Sequence, residues 1–138
     1  MGDSKQALPC PCGRLTTGAR AQVLSFDVCC APYVRDGQIA PDPESLMRSR
    51  YTAFTRANEA YLRATWSPER TPKTIHLDGS DKWLGLTVKS TAMLSSEEGT
   101  VHFVARVRTA GRANRIEENS RFVLRDGQWL YVGAASAV

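Results

Sequence analysis

Two tight pairs of cysteines, Cys10-Pro11-Cys12-Gly13 and Cys29-Cys30, constrain this chain more than any other feature, because sixteen residues separate Cys12 from Cys29. Two short loops can each present two thiolates to one ion, the number and grouping that a tetrahedral zinc site needs. Pro11 and Gly13 help the backbone turn around a metal. A pair of disulfides is the structural alternative, with free thiols and redox use as others. Disulfides persist mainly in oxidising compartments, and the opening residues, with Asp3, Ser4 and Lys5, carry no apolar stretch that would act as a secretory signal. A structural zinc ion held by Cys10, Cys12, Cys29 and Cys30 is therefore the favoured reading, in a protein expected in the cytoplasm.

The remainder of the chain is long enough for one core. At 138 residues, 42% hydrophobic and 23% charged, it falls among ordinary globular domains. The net charge of +4 comes mostly from scattered arginines, with close pairs only at Arg48/Arg50, Arg106/Arg108 and Arg112/Arg115, so a dense phosphate-binding stripe is missing and nucleic acid is disfavoured as a partner. No run approaches the roughly 18 apolar residues of a membrane span.

The segment IAPDPESLMRSRYTAF opens a helix. Asp42 is placed to cap it, Pro43 occupies the first helical position, and Glu44 favours the positive end of the dipole. Leu46, Ala53, Phe54 and Ala57 recur at helical spacing, Met47 and Tyr51 widen the stripe, and Arg50 falls inside it. Asn58 can cap a second short helix with Tyr61, Leu62 and Thr65, which Pro68 ends. From Lys82 the period becomes two: Leu84, Leu86 and Val88 alternate with Gly85, Thr87 and Lys89. In TVHFVARVRT, Val101, Phe103, Ala105 and Val107 face one way and His102, Val104, Arg106 and Arg108 the other. RIEENSRFVL and QWLYVG come next, joined by Asp126-Gly127, a pair suited to a tight hairpin. The economical reading is an α+β domain, an antiparallel sheet packed by the preceding helices.

The run CPCG…CCAPYV resembles the SEC-C zinc motif. The rest of the chain resembles the YchJ-like family of bacterial proteins, on APDPESLMRSRYTAF at 40–54, YLRATW at 61–66, WLGL at 83–86, and EENSRF and GQWLYV between 117 and 132. The resemblance implies a zinc-binding segment over 1–38 and, over 39–138, a domain similar to nuclear transport factor 2: a cystatin-like cone of curved antiparallel sheet wrapped by helices. It also implies the four cysteines as ligands. Three departures stand out. The spacer LTTGARAQVLSFD is longer than the motif's usual one and is expected to loop out or form a small hairpin. Ser67 stands after Trp66 where relatives often carry His. A second cysteine motif is not found before Val138, so one metal site is expected.

Cones of this kind commonly enclose an apolar pocket, and the same scaffold serves enzymes and binding proteins alike. Arg50 and Glu118 are the weak catalytic candidates, since ionisable groups pointing into a core need partners; a structural ion pair between them is favoured over a shared ligand site. Pocket candidates are Arg50, Tyr51, Trp66, Trp83 and Glu118. The tryptophans, Trp129 included, read first as core. Arg48 and Arg121 are expected to be solvated or bonded to chain ends, and Glu97-Glu98-Gly99 to form a turn. Glu117 is expected on the face opposite Glu118. His76, beside Asp78, and His102 have no nucleophile partner, which argues against a hydrolytic triad. The leading function is a zinc-binding module that contacts a protein partner through the knuckle or a small molecule in the pocket. Alternatives are an enzyme using Glu118 and Arg50, and RNA binding through Arg14, Arg20 and Arg35. A homodimer is a further expectation, because exposed sheets of this class pair.

Overall fold

The computed structural model describes residues 8–77 and 79–135; the amino-terminal residues read for a leader, and Asp78, lie outside them. Three helices, α1 (Ala31–Val34), α2 (Pro43–Thr55) and α3 (Glu59–Ala64), precede four strands, β1 (Lys82–Ser95), β2 (Glu98–Thr109), β3 (Arg112–Arg125) and β4 (Gln128–Ala134). The strands pair antiparallel in the order β1-β2-β3-β4. Each connection is a two-residue turn: Ser96-Glu97, Ala110-Gly111 and Asp126-Gly127. In the last two both residues have positive φ, 52° and 79° at the first pair and 52° and 77° at the second, the twist that matches right-handed strands. The Asp126-Gly127 hairpin agrees with the sequence expectation. Ala110 at φ 52° does not advertise a turn, because alanine pays for the left-handed region.

The helices start where the capping residues predict. Asp42 accepts a hydrogen bond from the Ser45 amide at 2.7 Å and Pro43 begins α2. Asn58 accepts one from the Tyr61 amide at 3.1 Å and begins α3. Ala57 does not extend the buried stripe: α2 stops at Thr55, and Ala57 lies exposed at φ 52°, turning the chain into α3.

The inner face of the sheet is built by Val101, Phe103, Ala105, Phe122 and Trp129, which pack on Leu46, Met47 and Tyr51 of α2. Irregularities in register at Trp83/Gly85, Val88/Ser90, Met93/Ser95 and Arg121/Phe122 curve it around the helices. The first of these overturns one sequence assignment. Gly85, at φ 153°, shifts the phase of β1, so that Trp83, Leu86 and Val88 turn inward while Leu84 is left exposed. A second correction falls on the β1–β2 turn. It is Ser96-Glu97; Glu98 and Gly99 already belong to β2, and Gly99 is buried under Pro43.

After α3 the chain runs beside β4. The Ser67 amide donates to the Tyr131 carbonyl and the Tyr131 amide to the Thr65 carbonyl, both at 2.8 Å, which sets Trp66 against Tyr131 as a parallel bridge. Ser67 is itself fully buried, and its hydroxyl donates to Glu69.

Candidate metal centre and an adjoining cavity

Each cysteine pair sits on a tight local turn. Gly13 donates its amide to the Cys10 carbonyl at 3.0 Å and takes φ 74°, which folds Cys10-Pro11-Cys12 back on itself. Cys29 and Cys30 come directly after a 3-10 turn, Phe26–Val28, with the Cys29 amide bonded to the Ser25 carbonyl. The long spacer brings the two turns together as a hairpin: Pro9 bridges Ser25, Leu15 bridges Val23, and the Cys10 amide donates to the Leu24 carbonyl at 2.9 Å.

The four sulfurs converge to within 4.8 Å of one another, and all four residues are buried. They are free thiols. The Cys12–Cys29 separation of 3.5 Å is far beyond a disulfide bond of about 2 Å. A tetrahedral ion with sulfur bonds of about 2.3 Å spans about 3.8 Å between sulfurs, so the donor set fits a metal with small adjustments. Thiol electrostatics point the same way. Hydrogen bonds from Cys12, Cys29 and Cys30 hold the Cys10 thiol far below its usual range, while hydrogen bonding to Cys10 pushes Cys29 and Cys30 up. Four thiols in contact oppose one another's full ionisation, and a cation at their centre would relieve that opposition.

Two residues of α2 brace this cluster. Arg48 donates from Nη1 to the Cys12 carbonyl at 3.0 Å, approaches the Cys12 Sγ at 4.0 Å, and pairs through Nε with Glu44 at 2.8 Å. Its side chain is 13% exposed; of the two expectations for Arg48, solvation or a bond to a chain end, it meets neither solvation nor a helix end but a backbone carbonyl of the cysteine turn. Thr52 lies with Oγ1 3.7 Å from the Cys10 Sγ. Arg14, within the spacer, donates to Ser45 Oγ at 2.9 Å. Spacing alone hid these roles, although Ser45, Arg48 and Thr52 do fall on one helical face.

On the other side of α2, against the sheet, lies a cavity of about 240 Å³. Arg50, Tyr51, Trp66, Trp83 and Glu118 all line it. Trp129 packs in the core instead. Arg50 is 4% exposed. Its Nη1 donates to the Leu62 carbonyl at 2.9 Å and to Thr65 Oγ1 at 2.8 Å, and its guanidinium packs on Trp66 and Tyr131, 4.7 and 4.6 Å from ring centres that are 5.3 Å from each other. Burial draws its pKa down to about 10, which leaves it charged at neutral pH. Glu118 Oε2 accepts from Ser120 at 2.5 Å and from Tyr131 at 2.7 Å. Burial, with the bond to Glu118, pushes the Tyr131 hydroxyl up, so it stays a donor. Among the described residues no ion pair joins Arg50 to Glu118; the parallel bridge sets Trp66 and Tyr131 together beside the guanidinium instead.

Glu117 faces outward and meets His102 at 2.6 Å and Arg115 at 2.9 Å. His76 is exposed in a loop, and Arg121 pairs with Glu98.

A family model, the middle NTF2-like domain of YchJ, matches residues 42–134. A UPF0225 protein of Polaromonas naphthalenivorans is 45% identical over 128 residues, which cover 90% of this chain and 94% of the relative. The chain belongs to the YchJ-like family. A further YchJ-like relative, the UPF0225 protein of Chromobacterium violaceum, is 42% identical and spans 99% of this chain and 100% of its own. Two solved structures share the fold. The solution structure of a SEC-C motif containing protein from Rhodopseudomonas palustris has a TM-score of 0.76 at 28% identity and covers 95% of this chain and 100% of that one. The crystal structure of a SEC-C motif containing protein from Psychrobacter arcticus has a TM-score of 0.73 at 25% identity, covering 94% and 84%. The YchJ-like chain is thus helices packed on a curved antiparallel sheet of the NTF2-like kind, with an amino-terminal cysteine cluster able to hold a metal. No helix among its described residues is long and apolar enough to cross a membrane.

Proposed function

We propose that this protein is a cytoplasmic zinc-stabilised binding module, in which one structural zinc ion fastens the cysteine knuckle onto α2 and the cavity behind α2 takes a small molecule. The observation that carries it is the convergence of four buried thiols within 4.8 Å, a donor set with no position left open for metal chemistry. Zinc fits an all-thiolate tetrahedral set better than hard cations do. When bound, the ion neutralises four thiolates and crosslinks the two turns. Arg48, on the Cys12 carbonyl, and Thr52, beside Cys10, then hold α2 at a fixed distance from the cluster, and α2 forms one wall of the cavity. All four ligands lie within segment 1–38, and Arg48 and Thr52 join that segment to 39–138.

Elemental analysis of reduced protein purified without added metal tests it. One zinc per chain, lost in Cys12→Ser and Cys30→Ser, is the expected result; metal-free wild-type protein that keeps its full stability would sink the proposal.

A protein partner at the knuckle draws support from a separate observation. Leu15 and Val23, opposite each other in the spacer hairpin, are 55% and 43% exposed, and Val28 is 66% exposed. RNA binding draws less, because Arg14 is engaged with Ser45, and Arg35 with Asp27 and Asp36. The enzyme alternative is weighed down by Glu118, one oxygen of which is occupied in holding Ser120 and Tyr131.

A further inference from the structure

The cavity has two charged residues in a wall that is otherwise largely aromatic and aliphatic. Arg50 uses Nη1 for both of its hydrogen bonds, and Nε and Nη2 have no hydrogen-bond partner among the described residues. Trp66 and Tyr131 pack beside it, 4.7 and 4.6 Å from its central carbon, and this edge of the guanidinium remains for recognition. Glu118 likewise uses Oε2 for both of its bonds and leaves Oε1 as a bare acceptor. No buried side-chain nitrogen or oxygen among the described residues lacks a partner, so these atoms are not sealed in packed protein. The cavity is the space that both residues line. It therefore offers both donors and an acceptor.

Charge and shape narrow the occupant further. Arg50 and Glu118 balance, and a buried carboxylate ligand would set two anions against one cation, as an ammonium would set two cations against one anion. A neutral group leaves the balance intact. Seven of the lining side chains are aromatic, Phe54, Phe103 and Phe122 among them, which favours a flat molecule. An apolar cavity of about 150 Å³ accommodates one benzene ring, so 240 Å³ suits a ring or a small fused pair.

Resting on the ligand-binding reading above, we propose that the cavity recognises a neutral, planar cyclic amide, its carbonyl taken by the free edge of Arg50 and its adjacent N–H by Glu118 Oε1. The rings of Trp66, Trp83 and Phe103 then cover the apolar part of the ligand. Binding is non-covalent, and specificity lies in the pairing of an acceptor with a donor on one edge.

The test uses the zinc-replete full chain and four probes: oxindole, N-methyloxindole, indane and phenylacetate. Affinities come from calorimetry, and the site is read from the indole N–H signals of Trp66 and Trp83, with Trp129, which lies outside the cavity, as internal reference. Oxindole is expected to shift the first two signals and to bind at least about tenfold more tightly than N-methyloxindole, which lacks the N–H, since a hydrogen bond to a charged acceptor carries at least that factor. Glu118→Gln should weaken oxindole by about tenfold and leave indane unchanged. Equal affinity for oxindole and N-methyloxindole, or tighter binding of phenylacetate, overturns the cyclic amide while sparing the cavity as a ligand site. Failure of every probe to move Trp66 or Trp83 overturns both. The four-probe comparison on the wild-type chain decides the matter even if Glu118→Gln does not fold.

Discussion

Arg50 shows how a charged side chain is held inside a core. Its charge costs free energy to bury, as the lowered pKa records, and the Leu62 carbonyl, Thr65 hydroxyl and two aromatic faces offset that cost. Arg50→Met is expected to destabilise the fold by about 2 kcal/mol, read from denaturant melts, because the end of α3 loses its donors. Gly99 is a second sensitive position. A Cβ there would come within 2.9 Å of the Pro43 ring and the Met93 sulfur and 3.2 Å of the Ala92 carbonyl. Gly99→Ala should cost about 1–3 kcal/mol through overpacking, measured by the shift of the urea midpoint. Tyr51 and Tyr61 set the alkaline limit. Burial raises each from 10.0 to about 12. Their folded values lie above the unfolded one, so the stability they contribute is complete below about pH 10 and is lost as pH rises from about 10 to about 12. Arg50 acts in the opposite sense, its folded value of about 10 lying below 12.5, but Tyr131, raised as well, joins the other two tyrosines against it. Absorbance titration should find tyrosines ionising late and together with unfolding; early titration of all four would contradict this.

At the scale of elements, the spacer hairpin and α2 set the geometry of the thiols. The spacer joins its cross-strand bonds close to the cysteines, with the Thr16 amide on the Gln22 carbonyl at 2.7 Å marking the far end. Replacing residues 17–21 by Asn-Gly should leave stoichiometric zinc in place, by elemental analysis, because the bonds that set the thiols lie below the cut. The features legible in the sequence here are those of local chemistry. Asp42, Asn58 and the Asp126-Gly127 turn act on their own neighbours, and the cysteine pairs need only their turns. Where the chain acts over distance, legibility ended. Gly85 shifts a strand's phase only in the context of its partner β2, which put Leu84 outside. Arg48 finds Cys12 across 36 residues, and Arg50 is parted from Glu118 by a bridge between Trp66 and Tyr131 that no periodicity announces.

For the molecule as a whole, the knuckle is part of the main core. All four cysteines share one buried cluster with Tyr51, Val101 and Phe122. Removing the metal should therefore lower the melting temperature of the entire chain in one transition, seen by near-ultraviolet circular dichroism, and a separate low-temperature step confined to the knuckle would speak against it.

Not one of the thirteen residues of α2 is exposed, since the cysteine turns lie against one side and the sheet and α3 against the others. Such a helix has no neutral ground: a change that suits one neighbour must be accepted by a second at the same moment. Saturation mutagenesis should accordingly find tolerance along the exposed far half of β1, from Ser90 to Ser95, and almost none between Ser45 and Ala53.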